Sequence, residues 1–254
     1  MKIIRSIIVI ALAAFLIASC TPTTPAQRFK GSTSQQIFNG GEKALAKGKY
    51  DQATKYFEGL EALYPFGPYA QQGQLDIIYA YYKNGDPASA LAAADRYIHL
   101  YPQSNDVDYA YYMKGLINFD RGRNWLQKTF KVSTAETDLS YLRQSFVDFN
   151  ALLQRFPDSK YAADAQHRMT YIRNVLAQNE LETAQFYFRQ KAYVAAANRA
   201  TNIIQHYQGS PQTVDALVIL VRANRALGLD QQANNALQVL KMNYPNAKQL
   251  KNLQ

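Results

Sequence analysis

A small residue followed twelve positions later by a proline recurs along this 254-residue chain, and no other feature restricts its fold as tightly. The frame is clearest in DQATKYFEGLEALYP, with Ala53, Phe57, Leu60 and Pro65. It returns as SALAAADRYIHLYP, with Ala90 and Pro102, and as QANNALQVLKMNYP, with Ala233, Leu237, Leu240 and Pro245. SFVDFNALLQRFP sets Ser145 in the small slot before Pro157, and VAAANRATNIIQHYQGS keeps Ala196 but has Gln208 where the proline would stand. Positions i, i+4 and i+7 share one helix face. Alanine on that face admits a neighbouring helix closely, and the bulky residue fills the next layer. Proline cannot continue the helix and drives the residue before it away from helical angles. The frame therefore predicts amphipathic helices with hard stops, and Gln208 leaves one exit open.

Successive frame ends lie 37, 55, 51 and 37 residues apart. A period in the thirties, with two helices per unit, predicts an all-α helical repeat protein, an α-solenoid of about five helix pairs. Ser32 or Ser34 can cap a first helix to about Lys47, and Gly48 ends it. Helices follow from Asp51 to Tyr64, from Pro68 to Asn84-Gly85, and from Asp86-Pro87 to Tyr101. Another runs from Asp106 to Asp120; its partner begins near Thr134. Between them lies an insertion, about 121–133, with Trp125 and Phe130, which reads equally as a functional loop and as a cap on a groove. Ser159 to Gln190 is one long or kinked helix. Ala192–Tyr207, Gln212–Leu227 and Asp230–Asn243 complete the set. The chain carries 19 tyrosines, and Tyr79, Tyr82, Tyr109 and Tyr112 recur at core spacing. Most serve inter-helix packing, while a few suit a peptide groove because the ring is amphipathic.

The N-terminus has its own logic. MKIIRS is positive, and the apolar run Ile7–Ala18 is too short for the roughly 20 residues that cross a bilayer as a helix. It reads as a secretory signal over 1–19. It ends in Ile17-Ala18-Ser19-Cys20, which resembles the lipobox of bacterial lipoproteins, with the chain's only cysteine where the acyl groups are attached. That resemblance implies three chains on Cys20; each buried methylene contributes about 0.8 kcal/mol, so the anchor is durable. Thr21, not being aspartate, implies outer-membrane sorting by analogy with enteric lipoproteins. Residues 20–31 read as the lipidated cysteine and a flexible tether.

The net charge is +9 and falls to +7 when Lys2 and Arg5 are removed with the leader. The basic residues are scattered, and the densest group is Arg121, Arg123, Lys128 and Lys131, so a solvated surface or an acidic protein partner is favoured over nucleic acid. His99, His167 and His206 are far apart in sequence and make no metal-ligand pair. Neither a phosphate-binding glycine loop nor a serine elbow occurs. No enzyme, cofactor or metal is expected beyond the lipid on Cys20.

The frame is similar to tetratricopeptide repeats, stretched from 34 residues by three. More closely, the chain resembles the BamD family, tetratricopeptide lipoproteins of the outer-membrane β-barrel assembly (BAM) complex. The lipobox, FNGGEKALAKGKYDQATKYFEGLEALYPFGPYAQQGQLDIIYAYYKNGD, the insertion after Asp120, FPDSKYAADA and QFYFRQKAYVAAANRATNII carry that resemblance. It implies a non-enzymatic scaffold, lipid-anchored to the outer membrane on its periplasmic face. Its partners would be the barrel-forming subunit, other lipoproteins of the complex and unfolded outer-membrane proteins. The implied halves are repeats 1–3 (32–157), which receive the C-terminal signal of unfolded barrels, and repeats 4–5 (158–254), which dock the complex. Within AYVAAANRAT, Arg199 matches the arginine that salt-bridges the barrel subunit; otherwise it is a solvated helix-face residue. Asn39, Lys43, Tyr79, Tyr82 and Tyr112, on the first helices of repeats 1–3, are the candidates for the peptide groove. Two rivals are a pilotin-type lipoprotein for secretin assembly, disfavoured by the insertion and the long fourth-repeat helix, and a lytic transglycosylase, for whose catalytic domain the chain has no room.

Overall fold

The computed structural model describes residues 24–128 and 139–253; Cys20 and positions 129–138 lie outside them. The chain divides into two compact units, Met1–Ala93 and Ala94–Gln254, with the division inside one helix. The first unit holds α1 (Pro25–Arg28), α2 (Ser34–Ala46), α3 (Tyr50–Leu63), α4 (Pro68–Lys83) and the start of α5 (Pro87–Leu100). The second holds the end of α5, then α6 (Val107–Lys128), α7 (Ser140–Arg155), α8 (Ala162–Arg189), α9 (Tyr193–His206), α10 (Thr213–Ala226) and α11 (Asp230–Asn243), closed by a 3-10 turn at Lys248–Asn252. No strand occurs among the described residues, so the all-α expectation holds.

The twelve-residue frame works as its chemistry dictates. Ala53, Ala90, Ser145, Ala196 and Ala233 are all at most 1% exposed. The one polar member is satisfied, because Ser145 Oγ donates to the Gly115 carbonyl at 2.8 Å. Opposite the frame, neighbouring helices carry glycine where a ring arrives: a Cβ on Gly41 would lie 2.5 Å from Phe57, and one on Gly115 2.4 Å from Phe149. Tyr64, Phe156 and Tyr244 precede prolines and adopt φ/ψ of −136/69°, −135/64° and −134/58°. Tyr207, before Gln208, sits at −121/41°, yet its N–H still donates to the carbonyl four residues back, as in the other three. Proline sharpens the exit without being required for it.

The turns inside four of the pairs are equally regular. After α2, α4, α8 and α10 one residue takes a left-handed conformation, and the next N–H reaches back to close the last helical turn. Gly48, Gly85 and Gly228 fill that position, whereas Lys191 fills it after α8 at φ 60°. Asp86 starts α5 as expected: its carboxylate accepts from the Ser89 N–H at 3.0 Å, and Ser89 holds the carboxyl below its usual range.

Three boundaries differ from expectation. The cap of α2 is Thr33, not Ser32 or Ser34, because Thr33 and Gln36 satisfy each other's backbone N–H groups in a capping box. The end of the tether is not extended: Thr24 and Gln27 make a second capping box that starts α1, and Phe29 lies against Gly59 and the Tyr56 ring at 4.8 Å. The insertion does not leave the helix at Arg121; α6 continues to Lys128. There Arg121 stacks on Tyr141 at 3.9 Å and donates to its hydroxyl at 2.8 Å, while Gly122 meets Leu142. Within the second unit, α8 joins two cores. The first half of α8 completes one core with Phe149 and Leu152 of α7, and its second half builds another with Ala196, Ala200 and Ile203 of α9. At 28 residues, about 42 Å long, α8 is a single helix that serves two cores.

Candidate functional site

In the first unit, α2 buries Ile37, Gly41 and Ala44, and that leaves Asn39 and Lys43 one turn apart on its exposed face. In the same unit α4 carries Tyr79 and Tyr82, whose ring centroids are 6.4 Å apart. Tyr50, at the start of α3, meets Tyr79 edge-on at 6.2 Å and 83°. Lys83 Nζ stands 5.8 Å from the Tyr50 ring and 6.0 Å from the Tyr79 ring. Such a contact at an exposed site contributes about 0.5–1 kcal/mol. The ammonium is thus held over aromatic faces while keeping donors for an anion. The arrangement can take an aromatic side chain edge-on and a carboxylate beside it. Tyr50 and Lys83 were not among the sequence candidates. The signal was available: each stands beside a left-handed turn glycine, Gly48 and Gly85, so both fall at the ends of their helices.

Tyr112 lies in the second unit and is already occupied. Its ring stacks on Tyr161 at 4.6 Å and 16°, and its hydroxyl donates to Asp164 at 2.7 Å. Burial and the Asp164 carboxylate push its pKa up to about 12. For Asp164, burial alone would raise the pKa, but hydrogen bonds from Arg168 and Tyr112 outweigh it and hold the carboxyl below its usual range.

Arg199 lies on α9 with its side chain 45% exposed. It is not simply solvated, because Nη1 donates to both carboxylate oxygens of Glu180 on α8, at 3.1 and 3.3 Å. Glu180 is 5% exposed. A buried carboxylate thus fixes one edge of the guanidinium and leaves the other to a partner. Glu180 was not singled out from sequence; its acid falls in register with Arg199 only once α8 and α9 are paired. The basic group of α6 is partly spent: Arg121 is engaged with Tyr141, and Arg123 pairs with Asp120 at 3.2 Å. Of the insertion residues, Trp125 falls on α6, and Phe130 and Lys131 lie outside the described residues, as does Cys20. The three histidines sit on α5, α8 and α9. Among the described residues no helix is long and apolar enough to cross a membrane.

A family model described as "Outer membrane lipoprotein" (YfiO) matches residues 30–252. The "Outer membrane protein assembly factor BamD" of Pasteurella multocida (strain Pm70) is 35% identical over 243 residues, covering 96% of this chain and 92% of the relative. The protein of that name from Neisseria meningitidis serogroup B (strain ATCC BAA-335 / MC58) is 38% identical over 217 residues, covering 85% and 81%. Among solved structures, the crystal structure of MamA protein superposes with a TM-score of 0.41 at 16% identity, covering 85% of this chain and 98% of that one. That likeness is too weak to carry an argument.

Proposed function

The chain belongs to the YfiO family of outer membrane lipoproteins, and from that premise we propose that it is a non-catalytic scaffold for the assembly of outer-membrane β-barrel proteins. The observation that carries this reading is family membership across residues 30–252, among relatives named as assembly factors. Cys20 carries the acyl chains that hold it to the outer membrane, with the folded part on the periplasmic side. No cofactor other than that lipid takes part.

In this proposal the first unit receives the C-terminal signal of an unfolded barrel protein. Tyr79 and Tyr82 contact the terminal aromatic ring, joined by Tyr50. Lys43, Asn39 and Lys83 supply the donors for its carboxylate and backbone. Tyr112, engaged with Tyr161 and Asp164, is left to packing. In the second unit Arg199 pairs with a carboxylate of the barrel-forming subunit, and Glu180 supports this by fixing the guanidinium before the partner arrives. Other lipoproteins of the complex dock on the same unit.

Two measurements test the assignment. A photo-crosslinker on a barrel protein's C-terminal peptide should mark residues of the first unit; marking only residues after Ala94 would overturn the peptide site. Arg199→Glu should reduce co-purification of the barrel subunit from solubilised envelopes by about tenfold, the scale of losing one partly desolvated charge pair. Unchanged recovery at moderate salt removes Arg199 from the interface.

A further inference from the structure

A cleft between the end of α8 and α10 plays no part in that reading. It has a volume of about 280 Å³. Val218 and Ile219 are buried and Phe188 half-buried, so they present an apolar lining. Arg189 from α8 and Arg222 from α10 line it too, and both are exposed. Elsewhere in this unit Arg121, Arg123, Arg168, Arg199 and Arg225 each hold a partner within the chain. Among the described residues, Arg189 and Arg222 have no hydrogen bond or ion pair. Two arginines without partners, from two helices, thus line one cleft beside its apolar residues.

Asp215, the acid in the lining, is engaged on one oxygen: Gln249 Nε2 donates to Oδ1 at 3.0 Å. Its second oxygen is turned to no donor among the described residues and can accept an N–H.

We propose that this cleft binds an acidic segment of a partner polypeptide, in which an apolar side chain the size of leucine is flanked by carboxylates. The apolar residue enters between Phe188, Val218 and Ile219. The carboxylates meet the forks of Arg189 and Arg222, whose planar donors match a carboxylate two at a time. A backbone N–H of the same segment donates to Asp215. A polypeptide offers carboxylate, apolar side chain and backbone N–H within three consecutive residues. A flat anionic bilayer could neutralise the arginines, but an acyl chain would have to leave the bilayer to reach the apolar lining, and the volume suits one side chain.

The test uses the full lipidated chain in detergent and a fluorescein-labelled glycine–serine peptide carrying one glutamate–leucine–glutamate triplet. Binding should weaken about tenfold in the double variant Arg189→Gln/Arg222→Gln, and equally when the triplet's glutamates become glutamines. Arg222→Lys, which keeps the charge and loses the fork, should fall between. Both arginines are exposed, so unchanged thermal unfolding of the variants separates lost binding from lost folding. Equal affinity for the wild-type chain and the double variant, or for the glutamate and glutamine peptides, overturns the proposal. So does arginine-dependent sedimentation with phosphatidylglycerol vesicles when the peptide fails to bind. Because Arg199 is not part of the cleft, an intact response in Arg199→Glu distinguishes this site from the docking contact.

Discussion

Residues 24–93 and residues 94–253 are built on the same seam of small residues against rings, but they finish it differently. In the first unit Gly41 takes Phe57, Gly73 takes Leu60 and Gly59 takes Phe29, all by close apolar approach. A polar pair between helices of the first unit, Tyr81 donating to Glu58 at 2.8 Å, is only part-buried. The second unit repeats the seam with Gly115 against Phe149 and Gly122 against Leu142, then adds polar pairs with a buried member. Ser145 donates to the Gly115 carbonyl, Asn118 donates to the buried Asp148 at 2.8 Å, and Arg199 pairs with the buried Glu180. Apolar contact is tolerant of register, whereas a buried polar pair is not, because a slipped partner leaves an unsatisfied group. The first unit therefore keeps its surface chemistry in aromatic rings, and the second commits much of its charge to fixing how its helices meet.

The largest effect tests whether the apolar seam is really common to both. Phe57→Ala and Phe149→Ala should each cost about 3–5 kcal/mol in denaturant unfolding. A markedly smaller loss for Phe149→Ala would mean that the polar pairs carry the second unit. Next, Ser145→Ala should cost about 0.5–1.5 kcal/mol by removing its bond to the Gly115 carbonyl, which keeps its helical partner. If it is neutral, the slot behaves like the Ala53 slot and the contrast fails at that point. A smaller gain is expected from Lys191→Gly, about 0.5–1 kcal/mol of stabilisation, since Lys191 alone among the four comparable turns is a residue with a Cβ at positive φ. Thermal unfolding would read it. No change would mean that Lys191 gains compensating contacts in that conformation.

The smallest effect at neutral pH is that of Tyr112→Phe. The folded-state pKa of Tyr112, about 12, lies above the ordinary tyrosine value of 10.0. Its contribution is therefore fully present below pH 10 and is lost as pH rises from there through about 12. Ultraviolet titration of tyrosinate should show a late-titrating component that Tyr112→Phe removes. A titration identical in the variant would put the raised value elsewhere.

Most of the helical frame was readable from the chain because proline, glycine and small residues act locally. Asp230–Asn243 and the opening of α4 at Pro68 were placed to the residue, and the Gln208 exit fell in line with the proline exits. The insertion boundary was not readable, because Arg121 and Gly122 continue α6 through their contacts with Tyr141 and Leu142, residues some twenty positions away. Site residues divided along the same line. That Tyr79 and Tyr82 are neighbours was readable because they share one helix. Tyr50 and Lys83, Glu180 beside Arg199, and Arg189 beside Arg222 depend on which faces of separate helices come together.

The wedge of Phe29 on Gly59 sets the length of the mooring line. With α1 packed on α3 and acyl chains on Cys20 as proposed, only the stretch from Cys20 to Thr24 is left to pay out. Four residues reach at most about 14 Å, shorter than α2. The first unit would then ride close against the headgroups instead of roaming the space beneath them. Unseating that one aromatic ring would slacken the line back to Thr33, letting the unit drift roughly three times as far.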